Sequence, residues 1–219
     1  MELKPDTRII LALDVIERNK AFRILREVHD LIDGVKINHP LIHSCGIGIS
    51  GDIKDVFSLP VIGDFKIADV PVTNRKIVNL CIKNKIDFLT VHGFIGYANL
   101  SDIKEYGGKR IDFFMITELT SDNEVTLFPY EDFARIALDL GFYGAQAPAT
   151  KPKVIKIVKD LIGNSMTIIS CGIGAQGAKP GSAIEANADF EIIGRAIYLS
   201  KKPREITKKY AEMIRKVVE

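Results

Sequence analysis

Short apolar runs alternate with amphipathic stretches along the chain, and this alternation restricts the fold more than any other feature. The runs are 8–15, 33–38, 61–67, 87–92, 111–118, 142–148, 166–171 and 190–194. Eight runs in 219 residues give about 27 residues per unit, close to a minimal β-then-α repeat. Their mostly apolar character suits strands covered by helices or closed into a barrel. Helical patterns lie between most of them. In 19–31, Phe22, Leu25 and Val28 recur at helical spacing, and Ile24 and Leu31 widen the stripe. Segments 152–162 and 203–218 open with Pro152 and Pro203, residues favoured in a first helical turn. The second carries Ile206, Tyr210, Met213, Ile214 and Val217 on one face. The expected fold is α/β, a (β/α)8 TIM barrel occupying 1–219 as one domain. An open doubly wound sheet is the rival.

Charge and cysteine content narrow the functional classes. Thirty basic against 28 acidic side chains leave a net charge of +2, which gives no reason to propose a nucleic-acid or membrane partner. Cys45, Cys81 and Cys171 are widely spaced and form no zinc-type pattern. An odd number without a framework suggests buried thiols in a reducing cytoplasm. The apolar run Ile9–Leu13 is too short for a signal peptide or a membrane span, so the expected location is cytoplasmic.

A (β/α)8 fold puts chemistry at the C-terminal ends of its strands. Asp14 ends the first run, Lys36 the second, and Asp64 and Lys66 the third, with Asp69 just beyond. Strand side chains alternate faces, so Asp64 and Lys66 point the same way. Facing inward, they make a partly buried carboxylate–ammonium pair. The plain alternative is a surface ion pair worth about 0–1 kcal/mol, but it would turn Phe65 and Ile67 into the barrel. Buried ions cost several kcal/mol each unless paired. An alternating set of Lys36, Asp64, Lys66 and Asp69 is close to neutral and keeps each member ionised. Such a set holds one charged donor in a fixed place and suits a reaction that creates negative charge on carbon.

The second informative stretch is Ser170–Gly177, which formally matches GxGxxG. In the seventh unit this is a weak dinucleotide fingerprint. The simpler reading is a phosphate site: glycines admit the anion to backbone N–H groups, and a following helix N-terminus favours it. Barrels often bind phosphate after strands seven and eight. Arg195, just after Gly194 at the end of the eighth run, can grip the anion bidentately, and Gln176 can donate an amide hydrogen bond. The alternative is a glycine-rich turn beside an exposed arginine. Among weaker candidates, His92 is either catalytic or, as is more usual, a hydrogen-bonded core residue. Glu118 is a possible ligand or supporting partner. Cys171 has no obvious base to activate it. His29, His39 and His43 suggest no metal site. Lys201, Lys202, Lys208 and Lys209 look like a solvated helical face.

Together these residues resemble the orotidine 5′-monophosphate decarboxylase family. DFKIADVP at 64–71 looks like that family's D-x-K-x-x-D-I-P signature. LALDV at 11–15, VKIN at 35–38, VHGF at 91–94, GIGAQG at 172–177 and IIGRAIYL at 192–199 follow in the family's order. The resemblance covers most of the chain. It implies a barrel that converts orotidine 5′-monophosphate to UMP and CO2 without a cofactor or metal. It also implies roles. Asp14 and Lys36 contact the ribose hydroxyls. Asp64 lies near the substrate carboxylate, and Lys66 donates the proton to C6. Asp69 and Thr73 reach across a homodimer interface into the partner's site. Thr120 stands where many members place a pyrimidine-binding serine. Gln176 and Arg195, with Gly174 and Gly194, hold the phosphate. Val70 replaces the usual isoleucine and Cys171 a common proline. Residues 121–129 and 174–182 are the candidate closing loops. Two other functions are weighed. Magnesium-dependent phosphosugar aldolases or decarboxylases of the same superfamily share D-x-K-x-x-D, but place an acidic residue near the position of Lys36. A non-catalytic phosphate-binding barrel would not need the charged strand ends.

Overall fold

The computed structural model describes residues 2–121 and 129–219. Eight parallel strands close into a barrel in simple sequence order. They are β1 (Ile9–Ala12), β2 (Gly34–Ile37), β3 (Val61–Ile67), β4 (Phe88–His92), β5 (Asp112–Ile116), β6 (Gly144–Pro148), β7 (Thr167–Cys171) and β8 (Phe190–Ile193). Closure comes from β1 pairing with β8, Ile10 opposite Ile192. The eight apolar runs therefore form one closed barrel, and the open sheet is excluded.

Helices jacket the barrel. After β1 comes α1 (Arg18–Val28), followed by a 3-10 turn at His29–Leu31; α2 (His39–Cys45) and α3 (Ile49–Phe57) follow β2. Next are α4 (Pro71–Lys83), α5 (Tyr97–Gly107), α6 (Tyr130–Asp139) and α7 (Pro152–Ile162). The last are α8 (Ser182–Glu185), α9 (Arg195–Tyr198) and α10 (Pro203–Val218). Pro71, Pro152 and Pro203 each stand in a first turn, where the missing N–H costs nothing. The α1 stripe is buried as expected: Phe22, Ile24, Leu25 and Val28 face the sheet.

Strand alternation separates two apolar layers. Val35, Phe65, Ile67, Ala145, Ala147 and Ile193 belong to the large cluster between sheet and helices. Ile10, Ala12, Ile62, Phe88, Phe114, Ile169, Phe190 and Ile192 fill the barrel interior. Phe88, Phe114 and Tyr143 stack near the N-terminal end, and Leu3 joins them, its N–H donating to the Tyr143 hydroxyl at 3.0 Å. Gly144 makes room for this plug: a Cβ there would lie 2.4 Å from the Phe114 ring. That end is filled with carbon, so the inward-facing polar side chains gather toward the other.

Candidate active site

Asp64 is the hub. Its Oδ2 accepts from Lys36 Nζ at 2.5 Å, and its Oδ1 accepts from Lys66 Nζ at 2.8 Å and from the Thr90 hydroxyl at 3.0 Å. The side chains of Lys36 and Asp64 are 6% and 5% exposed, that of Lys66 32%. Lys66 is thus the most exposed member of the row. Burial alone would push the Asp64 carboxyl up, but the two ammoniums overcome it and hold it well below the carboxylate range. Burial would likewise lower Lys36; Asp64, and then Asp14, raise it instead. Each charge is maintained by its neighbours, and no ion in the row is left alone in a low dielectric.

The shared face of Asp64 and Lys66 does not come from simple alternation. Gly63 pairs with Leu89 and Ile67 with Val91, so four steps along β3 match two along β4. Lys66 sits in this bulge in the left-handed region, φ 48°. Its N–H leaves the ladder and donates to the Thr90 hydroxyl at 3.0 Å. Bulges re-aim side chains near active sites, and a non-glycine residue at positive φ costs about 1–3 kcal/mol. Phe65 and Ile67 remain outside the barrel, as the sequence requires.

The row opens into a cavity of about 240 Å³ lined by Asp14, Lys36, Asp64, Lys66, Thr120, Gln176, Gly194 and Arg195 among others. Eight expected site residues thus converge on one space. Asp14 lies two residues beyond β1, with its Oδ1 enclosed and without a hydrogen-bond partner. Gln176 Nε2 donates to the Thr120 hydroxyl at 3.0 Å, joining the loops after β7 and β5. Arg195 opens α9, and its exposed guanidinium meets no acidic partner among the described residues.

The glycine turn needs its glycines. Gly172, Gly174 and Gly177 all have positive φ, and a Cβ on Gly172 would press on Thr150 and Thr120 at 3.2 and 3.3 Å. Its detail differs from expectation in two ways. No helix starts directly behind it: α8 begins only at Ser182 and has four residues. The Gly174 N–H is spent on Ala178 O at 2.8 Å, so Gly174 shapes the turn, and it is not among the cavity-lining residues. Glu191, fully buried behind the turn, accepts from the Gly181 and Ala183 N–H groups at 2.9 and 3.0 Å and fixes the segment from below.

Asp69 and Thr73 do not line this cavity. Asp69 is exposed and Thr73 half-buried in the first turn of α4. The turn that carries Asp69 is rigid: buried Asn74 bonds both the N–H and the carbonyl of Asp69, and Asn99 bonds that carbonyl too. Val70 and Val72 beside them are 60% and 65% exposed.

The weaker candidates separate cleanly. His92 stacks on Phe94, ring centroids 4.8 Å apart, and its enclosed Nδ1 has no hydrogen-bond partner, unlike the bonded core histidine expected. Burial, and then Lys66, lower its pKa. Glu118 is buried, accepts from its neighbour's N–H and pairs with Lys151 at 3.4 Å, outside the cavity. Cys171 lines the cavity, but burial pushes its thiol up to about 11, against a nucleophilic role. Lys201, Lys202, Lys208 and Lys209 are exposed. Among the described residues no cluster of three or more His, Cys, Asp or Glu side chains could hold a metal ion. Of the candidate closing loops, 122–128 lie outside the described residues. Sequence reasoning missed Asn38, Gln146, Ile192 and Tyr198 in the lining. Gln146 had a signal, as a lone amide in an otherwise apolar strand.

A closed (β/α)8 barrel with a charged cavity at the C-terminal ends of its strands has the anatomy of a barrel enzyme. Residues 7–210 match the Orotidine 5′-phosphate decarboxylase / HUMPS family, and the chain belongs to that family. It is 38% identical to an orotidine 5′-phosphate decarboxylase of Methanosarcina acetivorans over 215 residues, 97% of this chain and 96% of the relative. Against the Methanosarcina barkeri protein of the same name the identity is 40% over 211 residues, 94% of each. The structure matches that of the Methanocaldococcus jannaschii orotidine 5′-monophosphate decarboxylase complexed with the inhibitor BMP. The TM-score is 0.88 at 34% identity, covering 94% of this chain and 97% of the other. Among the described residues, no helix is long and apolar enough to cross a membrane.

Proposed function

We propose that this chain, one barrel unit over 1–219, decarboxylates orotidine 5′-monophosphate to UMP and CO2, the last step of pyrimidine nucleotide synthesis, without a cofactor. The observation that carries the reading is the Lys36–Asp64–Lys66 row opening into the same cavity as Arg195. In the reaction the C6–carboxylate bond breaks, CO2 leaves, and the electron pair stays in an in-plane orbital on C6. The ring π-system cannot take up that pair, so fixed charge must stabilise it. Lys66 Nζ supplies the charge and then transfers a proton to C6; the neutral amine regains its proton from water. Asp64 lies near the departing carboxylate and, with Lys36, fixes the Lys66 ammonium. Asp14 and Lys36 bind ribose hydroxyls, and Thr120 binds the pyrimidine. Arg195, Gln176 and the backbone at Gly194 hold the phosphate, and Gly174 shapes the turn beside it. Enzymes lower barriers by about 8–23 kcal/mol, and this reaction calls for the upper part of that range. Binding energy from the remote phosphate helps to supply it by orienting the base.

Asp69 and Thr73 complete the site of a second copy in a homodimer. Their rigid turn outside the cavity of their own chain, flanked by exposed Val70 and Val72, supports this role. The enzyme works in the cytoplasm. Lys36, a cation at the end of β2, argues against the magnesium-dependent phosphosugar chemistry. A spectrophotometric assay of orotidine 5′-monophosphate consumption tests the reading directly. Turnover in excess EDTA, abolished in a folded Lys66→Ala variant, is expected. Substantial turnover by that variant overturns the donor assignment, and no turnover by the unaltered chain overturns the reading.

A further inference from the structure

Gln146 is the one inward-facing amide on β6, between Gly144 and Pro148, while Ala145 and Ala147 face the helices. It is 3% exposed and lines the cavity, yet its Oε1 is enclosed without a hydrogen-bond partner. Its strand neighbours cannot help: Ile116 on β5 and Ile169 on β7 stand beside it in register. Native proteins pair almost all buried polar groups, and an amide left unpaired costs free energy. Gln146 Nε2 has no hydrogen-bond partner among the described residues either, so in an otherwise apolar stretch of wall the amide keeps a donor to offer an acceptor on a ligand in the cavity.

Depth in the barrel identifies the part of that ligand. Arg195, Gln176 and Thr120 lie beyond the strand ends, where the phosphate and the far edge of the base are gripped. Asp64 and Gln146 lie within their strands, below that rim. A base whose C6 faces Asp64 and Lys66 directs its C6 substituent down into this level. We infer that Gln146 is a specificity residue for that substituent, its Nε2 amide donating a hydrogen bond to the C6 carboxylate that Asp64 repels. This rests on the decarboxylase reading. The carboxylate loses its charge as CO2 departs, so the bond is strongest before the chemical step.

The test compares nucleotides with and without the carboxylate. In a Lys66→Ala background, which holds the substrate without consuming it, calorimetry measures binding of orotidine 5′-monophosphate and of UMP. Adding Gln146→Leu should weaken the carboxylated nucleotide about tenfold or more, the size of a lost hydrogen bond to a charged group, and leave UMP within about twofold. Gln146→Glu should weaken it further by repulsion, again sparing UMP, whose retained binding reports a folded barrel. With Lys66 present, Gln146→Leu should raise KM with no matching fall in kcat. Equal losses for both nucleotides, or none for either, overturn the assignment. Failure of both nucleotides to bind the parent with Gln146 intact instead removes the decarboxylase reading, and this inference with it.

Discussion

Replacing Lys36 with methionine isolates the energetics of the buried row. The substitution keeps an unbranched side chain of similar length and removes the charge that Asp64 Oδ2 receives at 2.5 Å. Breaking one partner from a buried pair costs about 3–5 kcal/mol, mostly from the charge left behind. Asp64 retains Lys66 and the Thr90 hydroxyl on its other oxygen, so it is not stranded. That lowers the expected loss to about 2–4 kcal/mol. For a chain of this size the midpoint of thermal unfolding should fall by about 4–16 °C. Urea denaturation gives the free energy directly, and pairing the change with Asp64→Leu closes a double-mutant cycle. The double variant should lose much less than the sum of the singles, because Lys36 and Asp64 are each costly mainly in the other's absence. A loss under about 1 kcal/mol for Lys36→Met, or additive singles, would show that the row is not the coupled unit described here.

Two further measurements probe the two ends of the cavity. Arg195→Ala should weaken UMP about tenfold or more, the size of a lost charge-assisted contact, and leave uridine binding nearly unchanged; equal losses for both argue against a phosphate role. Because Asp64 titrates below its ordinary value of 3.8, its ionised form stabilises the fold above that pH, and the contribution disappears as pH falls toward its lowered pKa. Stability measured from about pH 4 downward should therefore fall less steeply in Asp64→Asn than in the unaltered protein, and identical slopes would remove Asp64 from the acid transition.

The barrel was legible because its signals are periodic. Eight apolar runs set the strand count, and helix-opening prolines marked α7 and α10. The charged row was legible because Asp64 and Lys66 interrupt an apolar strand. What could not be read was how the chain brings them together: a bulge depends on the partner strand, and nothing in DFKI shows that Lys66 takes positive φ or that Thr90 receives its N–H. The turn at 172–177 was readable as a shape but not as a hydrogen-bond pattern, since the claim of Ala178 on the Gly174 amide is made only in three dimensions. Gln146 escaped notice because an amide in a strand acquires meaning only once its neighbours are known to offer it nothing.

On the proposed reading, the distribution of charge around the cavity separates gripping from chemistry. Three cations and two carboxylates line it, a single net positive charge, but they are not mixed evenly. Lys36, Asp64 and Lys66 occupy β2 and β3, held by one another and by strand backbone. Arg195 follows β8, outside the ladder and without a carboxylate to satisfy it. An unpaired guanidinium at the rim is free to take a phosphate and attracts it from solution. An ammonium bound to a buried carboxylate keeps its position and spends little reorganisation when charge appears beside it. Exchanging the two arrangements would defeat both. A paired arginine would have to give up its partner to bind an anion, and a free lysine would swing toward solvent instead of holding station in the cavity. The strain at Lys66 fits the same logic: about 1–3 kcal/mol of backbone distortion is borne where a fixed ammonium matters most, and a closed barrel with a carbon-filled end is rigid enough to bear it.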